Sequence, residues 1–122
     1  TLQKRGEVLA LWYREQLYSI TDELIQKWEK RLSVKTSYWS IKQMKTRWGT
    51  CDHKRRRILL NLELSKKPMA CIEYVVVHEL LHIVEKKHSE KFVSLMAKYL
   101  PKWRSIKEEL NSFVLSYDTW ER

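Results

Sequence analysis

One stretch constrains this chain more than any other: Cys71-Ile72-Glu73-Tyr74-Val75-Val76-Val77-His78-Glu79-Leu80-Leu81-His82, with His88 six residues beyond it. Val75, Val76, Val77, Leu80, Leu81, Ile83 and Val84 make a helix here apolar nearly all round, as a helix at the centre of a core is. Two histidines and a glutamate inside such a helix are costly to bury unless they are paired or hold a metal. His78 and His82 are four residues apart, so on a helix their imidazoles stand one turn apart on the same face. Two imidazoles so placed can grip a tetrahedral zinc ion, whose bonds to nitrogen are about 2.0–2.1 Å long. Glu79 follows the first histidine directly, so its carboxylate falls beside the metal rather than on it. There it can take a proton from an attacking water as a general base. The plainer alternative is two satisfied core histidines and an ordinary glutamate; the spacing and the apolar surroundings weigh against it.

A catalytic zinc takes three protein ligands and leaves one position open. Candidates for the third are His88, Glu85, Glu90 and His53, of which His88 is preferred. Six residues is not a whole number of helical turns, so His88 cannot share a face with His82 on an unbroken helix. The metal helix is therefore expected to run from about Met69 to Lys86, starting at Pro68, and to end near Glu85 to Lys87. Ser89 is a good N-cap for a second helix over about 90–100. His88 then lies in the turn between them, free to point back at the metal. No glycine eases this turn, so Lys86 or Lys87 is expected in the left-handed conformation.

Upstream, Leu9, Trp12, Tyr13, Leu17, Ile20, Leu24, Trp28 and Leu32 recur at three- and four-residue steps. They predict one long helix over about 3–31 with a core-facing stripe, and Thr21-Asp22-Glu23 is a possible internal start. Val34 to Trp39 alternates and reads as a strand, as do Arg47 to Cys51 and Arg57 to Leu62. Asp52 to Arg56 is then a hairpin loop between the last two. Gly49 inside a strand implies a bulge or a close backbone approach. After the second helix Pro101 makes a break, and Trp103 to Leu115 is expected to be amphipathic, with Trp103, Ile106, Leu110, Phe113 and Val114 facing inward. Tyr117 to Arg122 has no clear pattern. The sum is an α+β fold: a small three-stranded antiparallel sheet packed against a long N-terminal helix, the metal helix and C-terminal helices.

At 122 residues the chain is expected to be one domain, 1–122, with a single core. It opens on Thr rather than Met, which suggests a piece of a longer protein or a processed chain. Only Cys51 and Cys71 are present, without a C-x-x-C pairing, so no disulfide framework is expected and a reducing cytoplasm fits. No apolar run approaches a membrane span. The formal net charge of +9 attracts polyanions, which makes nucleic acid a candidate partner; a solubilising basic surface is the alternative. The densest run, Lys54-Arg55-Arg56-Arg57, could hold phosphates, although a solvated hairpin tip is the preferred reading. Lys45 or Arg47, on the neighbouring segment, could stabilise a developing oxyanion.

These motifs, in order, resemble a known family. Arg47-Trp48-Gly49-Thr50-Cys51, Ile58-Leu59-Leu60-Asn61-Leu62, Tyr74 to His82, His88-Ser89 with Phe92, and Pro101 with Trp103 resemble the YgjP-like metallopeptidase domain, a relative of the SprT-like zinc proteases. The family often has Ser at the place of Thr50 and Asn at the place of Lys87. The resemblance implies a zincin-like fold, with His78, His82 and His88 as zinc ligands and Glu79 as general base. It implies a zinc-dependent hydrolase, most simply a metallopeptidase with a peptide substrate. One branch of the family acts on UTP as a nucleoside triphosphate pyrophosphatase, for which Lys45, Arg47 and Lys54 to Arg57 could supply phosphate contacts. A third possibility is a nucleic-acid-binding module with a structural zinc, but such a site is normally closed by four protein ligands.

Overall fold

Residues 2–112 of the chain are described in a computed structural model. The first element, α1 (Leu2–Leu32), is one uninterrupted helix, and the possible start at Thr21 is not used: Thr21 is buried within its middle. The helix ends because Ser33 adopts φ 54°. Val34 N–H then donates back to the Glu29 carbonyl (3.1 Å) and Ser33 N–H to that of Lys30 (3.4 Å), a left-handed cap that satisfies the last carbonyls. The Glu29 carboxylate accepts from Thr36 N–H (2.7 Å) and from its hydroxyl (3.0 Å), tying the next segment to the helix.

The expected stripe on α1 is buried only from its middle onward, at Leu17, Leu24 and Trp28, and Ile25, outside the expected stripe, is buried with them. Leu9 and Trp12 are 54% and 52% exposed, which corrects their assignment to the core. A 31-residue helix is about 46 Å long, more than the width of a domain of this size, so one end overhangs the rest.

The sheet is mixed, not antiparallel. Its order is β1 (Tyr38–Lys42), β3 (Arg57–Asn61), β2 (Gly49–Asp52), with β1 parallel and β2 antiparallel to the central β3. Hairpin formation between β2 and β3 is as expected, and Arg56 takes the left-handed conformation (φ 55°) in its loop. The difference lies in β1, which begins at Tyr38 rather than Val34 because Val34 to Ser37 are spent on the helix cap and on bonds to Glu29 and Arg56. From Lys42 the chain crosses the end of β3 and descends on its far side as β2, so β3 is inserted between two strands that are neighbours in sequence.

Buried Asn61, at the end of β3, clasps that crossing. Its amide donates to the carbonyls of Met44 (3.0 Å) and Arg47 (2.8 Å), and its backbone N–H donates to that of Trp48 (2.9 Å). Its side-chain oxygen also caps a short 3-10 helix (Leu62–Lys66) by accepting from Glu63 N–H (3.0 Å).

Three further helices follow: α2 (Met69–Val84), α3 (Glu90–Tyr99) and α4 (Trp103–Asn111). α2 packs against α1, α3, α4 and strands β2 and β3, so it is the centre of the core. It is pinned to α1 where Glu73 accepts from Trp28 Nε1 (2.9 Å) and Lys27 Nζ (3.1 Å). Pro68 is its N-cap, and it stops at Val84. The turn that follows needs no left-handed lysine, contrary to expectation: among the described non-glycine residues only Ser33 and Arg56 have positive φ. Glu85 is extended instead, its N–H still donating to the Leu81 carbonyl (2.8 Å). Ser89 caps α3 as expected, accepting from Phe92 N–H (3.3 Å). α4 buries Leu110, with Trp103 and Ile106 half-buried; Phe113, Val114 and Tyr117 to Arg122 lie outside the described residues. Neither Cys51 nor Cys71 is in a disulfide. Among the described residues no helix is long and apolar enough to cross a membrane.

Candidate metal centre

α2 carries His78 and His82 on one face, both buried, and the turn before α3 brings exposed His88 onto them. Their Nε2 atoms converge: 3.2 Å between His78 and His82, 3.3 Å between His78 and His88, and 3.0 Å between His82 and His88. A tetrahedron with bonds of 2.0–2.1 Å has edges of about 3.3 Å, so the triangle has the size that one metal ion requires. Such spacing without a cation would press three nitrogen lone pairs together.

The surroundings set the imidazoles for that task. His82 Nδ1–H donates to the Glu85 carbonyl (3.1 Å), which fixes the tautomer and leaves the Nε2 lone pair for a ligand. The break after Val84 thus does two things: it frees His88 to fold back, and it turns the Glu85 carbonyl towards His82. Phe92 packs against all three rings, with centroids 5.1 Å from His78, 4.6 Å from His82 and 4.9 Å from His88. In the sequence Phe92 stands only beside His88 and Ser89 in the family motif, with no role attached. Its spacing was the available signal, since the fourth residue after His88 on the helix that Ser89 caps lies one turn from it.

Glu79 is fully buried, and Gly49 of β2 lies against it. A Cβ at Gly49 would sit 3.0 Å from Glu79 Cγ, 3.0 Å from its Oε2 and 2.9 Å from Val75 Cγ1. The glycine is therefore a close approach, and the unbroken register from Gly49 to Asp52 shows no bulge. Tyr74, one turn before His78, is buried, and its phenol is held far above its ordinary pKa by desolvation first and by the negative charge of Glu79 second.

The other ligand candidates are placed elsewhere. His53 Nδ1–H donates to the His82 backbone carbonyl (2.7 Å), so it braces the metal helix from the hairpin. Glu85 offers its carbonyl to His82, and Glu90 is exposed in the first turn of α3. Among the described residues the three histidines are the one His, Cys, Asp and Glu group able to hold a metal.

The basic candidates divide. Lys45 and Arg47 are exposed on the segment crossing β3 and line neither cleft beside the centre. Lys54 lines a cleft on the His82 side with Cys51, Asp52, His53 and Lys86. Arg55 is turned to Asp52, which accepts from its backbone N–H (3.1 Å) and its guanidinium (3.3 Å); the first of these, and then the second, hold the Asp52 carboxyl below its usual range. Arg56 and Arg57 are exposed. A second cleft, between α2, α3 and α4, opens on His78 and His88.

The three nitrogens have a cleft on either flank, and the helix that carries His78 and His82 also buries Glu79. Residues 1–113 match the family described as YgjP-like, metallopeptidase domain. Two solved structures share the fold. The metallopeptidase zymogen abylysin of Pyrococcus abyssi is 18% identical, with a TM-score of 0.69 over 75% of this chain and 92% of that one. The metallopeptidase zymogen jannalysin of Methanocaldococcus jannaschii is 21% identical, with a TM-score of 0.65 over 74% of this chain and 86% of that one. No curated protein matches the sequence.

Proposed function

The chain belongs to the YgjP-like metallopeptidase family, and on that premise we propose that it is a zinc-dependent hydrolase of peptide bonds. The observation that carries the reading is the convergence of the His78, His82 and His88 Nε2 atoms within 3.0–3.3 Å of one another, on the helix that buries Glu79. Zinc held there would supply Lewis acidity to the scissile carbonyl and acidify a water. Imidazole also suits other transition metals, and zinc is preferred because three nitrogen ligands with an open fourth position is its usual catalytic form.

The chain's own residues would do the rest. Glu79 accepts the proton of the attacking water and returns it to the leaving amine, so that water adds across the C–N bond and the carboxylate ends as it began. Gly49 lets β2 approach so closely that Glu79 has little room to swing away. Among the described strands β2 lies at the edge of the sheet and packs on α2, a position where an extended peptide could add as a further strand.

A second reading is a nucleoside triphosphate pyrophosphatase, favoured by Lys54 and Lys86 in the cleft beside His82. The net charge of +9 also keeps nucleic acid as a candidate partner.

Zinc-loaded protein and its Glu79→Gln variant should be compared on unfolded proteins and peptides, and on each nucleoside triphosphate by phosphorus NMR. Peptide cleavage lost in the variant supports the proposal; pyrophosphate release lost in the variant transfers the site to the second reading. Activity unchanged by Glu79→Gln would remove Glu79 from the mechanism. His88→Ala should lose zinc, and full zinc occupancy in that variant would place the third ligand elsewhere.

A further inference from the structure

The cleft on the His78 and His88 side encloses about 400 Å³, its open side included. Its walls combine apolar surface, from Tyr74 of α2, Met96 of α3 and Trp103 of α4, with the polar groups of His78, His88 and Lys107. Trp103 and Lys107 are four apart on α4, so the helix presents both to the same space. Lys107 is half-buried, and among the described residues no carboxylate pairs with it. A half-buried lysine beside Tyr74, Met96 and Trp103 favours an anion that enters with an apolar group attached.

The geometry points to Lys107 as a specificity residue: this cleft binds an apolar substrate side chain or end that carries a carboxylate, and places it next to the metal centre. The inference rests on the hydrolase reading for its catalytic meaning, but the cleft's preference can be read without catalysis. The carboxylate has two possible sources. One is the free C-terminus of a peptide cut near its end; the other is an acidic side chain on the leaving side of the scissile bond.

The first test uses metal-free protein, so that the metal does not compete for the carboxylate. 3-Phenylpropanoate and 3-phenylpropanamide are titrated while the Trp103 indole resonance is followed by NMR. The carboxylate should bind about tenfold tighter than the amide, the difference expected for one charged hydrogen bond. Lys107→Met keeps the aliphatic stem and should erase the preference, while Lys107→Arg should keep it. Equal binding of the two probes to the wild type, or a preference that survives Lys107→Met, overturns the inference.

The second test uses zinc-loaded protein. Peptides with a free carboxylate one residue beyond the cleaved bond are compared with their C-terminal amides and with peptides bearing an internal Glu at that position. Preference for the free C-terminus, or for the internal Glu, identifies the source; kcat/KM equal for all three, with cleavage still lost in Glu79→Gln, overturns the inference and leaves the hydrolase standing. A Lys107-dependent probe preference in a protein that cleaves no peptide would leave the cleft standing and remove the peptidase.

Discussion

The first half of α1 and the whole of α2 are both rich in large apolar residues, and they meet opposite environments. Val8, Leu9, Leu11 and Trp12 are each more than half exposed, whereas Tyr74 to His82 form an unbroken buried run. What separates them is position. α2 is enclosed by α1, α3, α4 and two strands, while among the described residues nothing buries α1 over 2–12. Enclosure is also what gives α2 its chemistry. Two imidazoles and a carboxylate in that interior need compensation, and a cation held by the converging imidazoles would supply it. The same groups on the overhanging part of α1 would be solvated and inert.

The comparison can be broken most directly by matched truncations. Leu80→Ala, at a fully buried site, should cost about 2–5 kcal/mol because the cavity cannot refill. Leu9→Ala, at a 54% exposed site, should change stability by less than about 0.5 kcal/mol. Urea denaturation of the metal-free chain measures both. Equal losses would mean that the first half of α1 is covered in solution.

Gly49→Ala sharpens the comparison at the boundary between α2 and the sheet. The added methyl would meet Val75 Cγ1 at 2.9 Å and Glu79 at 3.0 Å, and the β-branched valine is stiff. Overpacking of this kind costs about 1–3 kcal/mol. Displacing a catalytic carboxylate by a fraction of an ångström should lower kcat by about tenfold or more. Zinc affinity should stay within about threefold of wild type, because the atoms nearest the added methyl belong to Val75 and Glu79 and not to a histidine. Isothermal titration beside steady-state kinetics separates the two effects; a kcat that remains at the wild-type level would show that Glu79 has room to spare.

The contrast between the helices also explains what could be read from the residues alone. The apolar run of α2, the four-residue spacing of His78 and His82 and the cap at Ser89 are local signals, and each corresponds to a local feature of the structure. Where β1 lies is not local. Nothing between Lys42 and Gly49 says that a strand formed later will slide between its ends; that depends on Asn61, whose clasp joins residues 14 and 17 apart. The stripe of α1 was visible as a period of three and four, but a period does not say whether a partner surface reaches that far. Phe92 was visible only as a member of the family motif, and its place against three imidazoles required knowing where His88 turns. Lys107 gave no signal, since its importance comes only from the cleft that α4 shares with α2 and α3.

The smallest expected effect concerns how the enclosed helix obtains its third histidine. Ser89 Oγ accepts from Phe92 N–H at 3.3 Å, and the Ser89 carbonyl accepts from Val93 N–H at 3.0 Å. The hydroxyl therefore secures the first turn of α3, immediately after His88. Ser89→Ala should cost about 1 kcal/mol of stability, the usual value of such a cap. The larger consequence is for zinc. If the first turn frays, Phe92 loosens against the imidazoles and His88 must be ordered when the metal binds, so affinity should fall by up to about fivefold, the equivalent of that same cap energy. Ser89→Thr keeps an oxygen in place and should recover most of both losses. Competition for zinc against a chelator, beside thermal melts of the metal-free chain, gives the two numbers. A stability loss without a change in zinc affinity would mean that His88 is held in place by the extended turn at Glu85 and by Phe92 packing alone, and that the cap serves α3 rather than the metal centre.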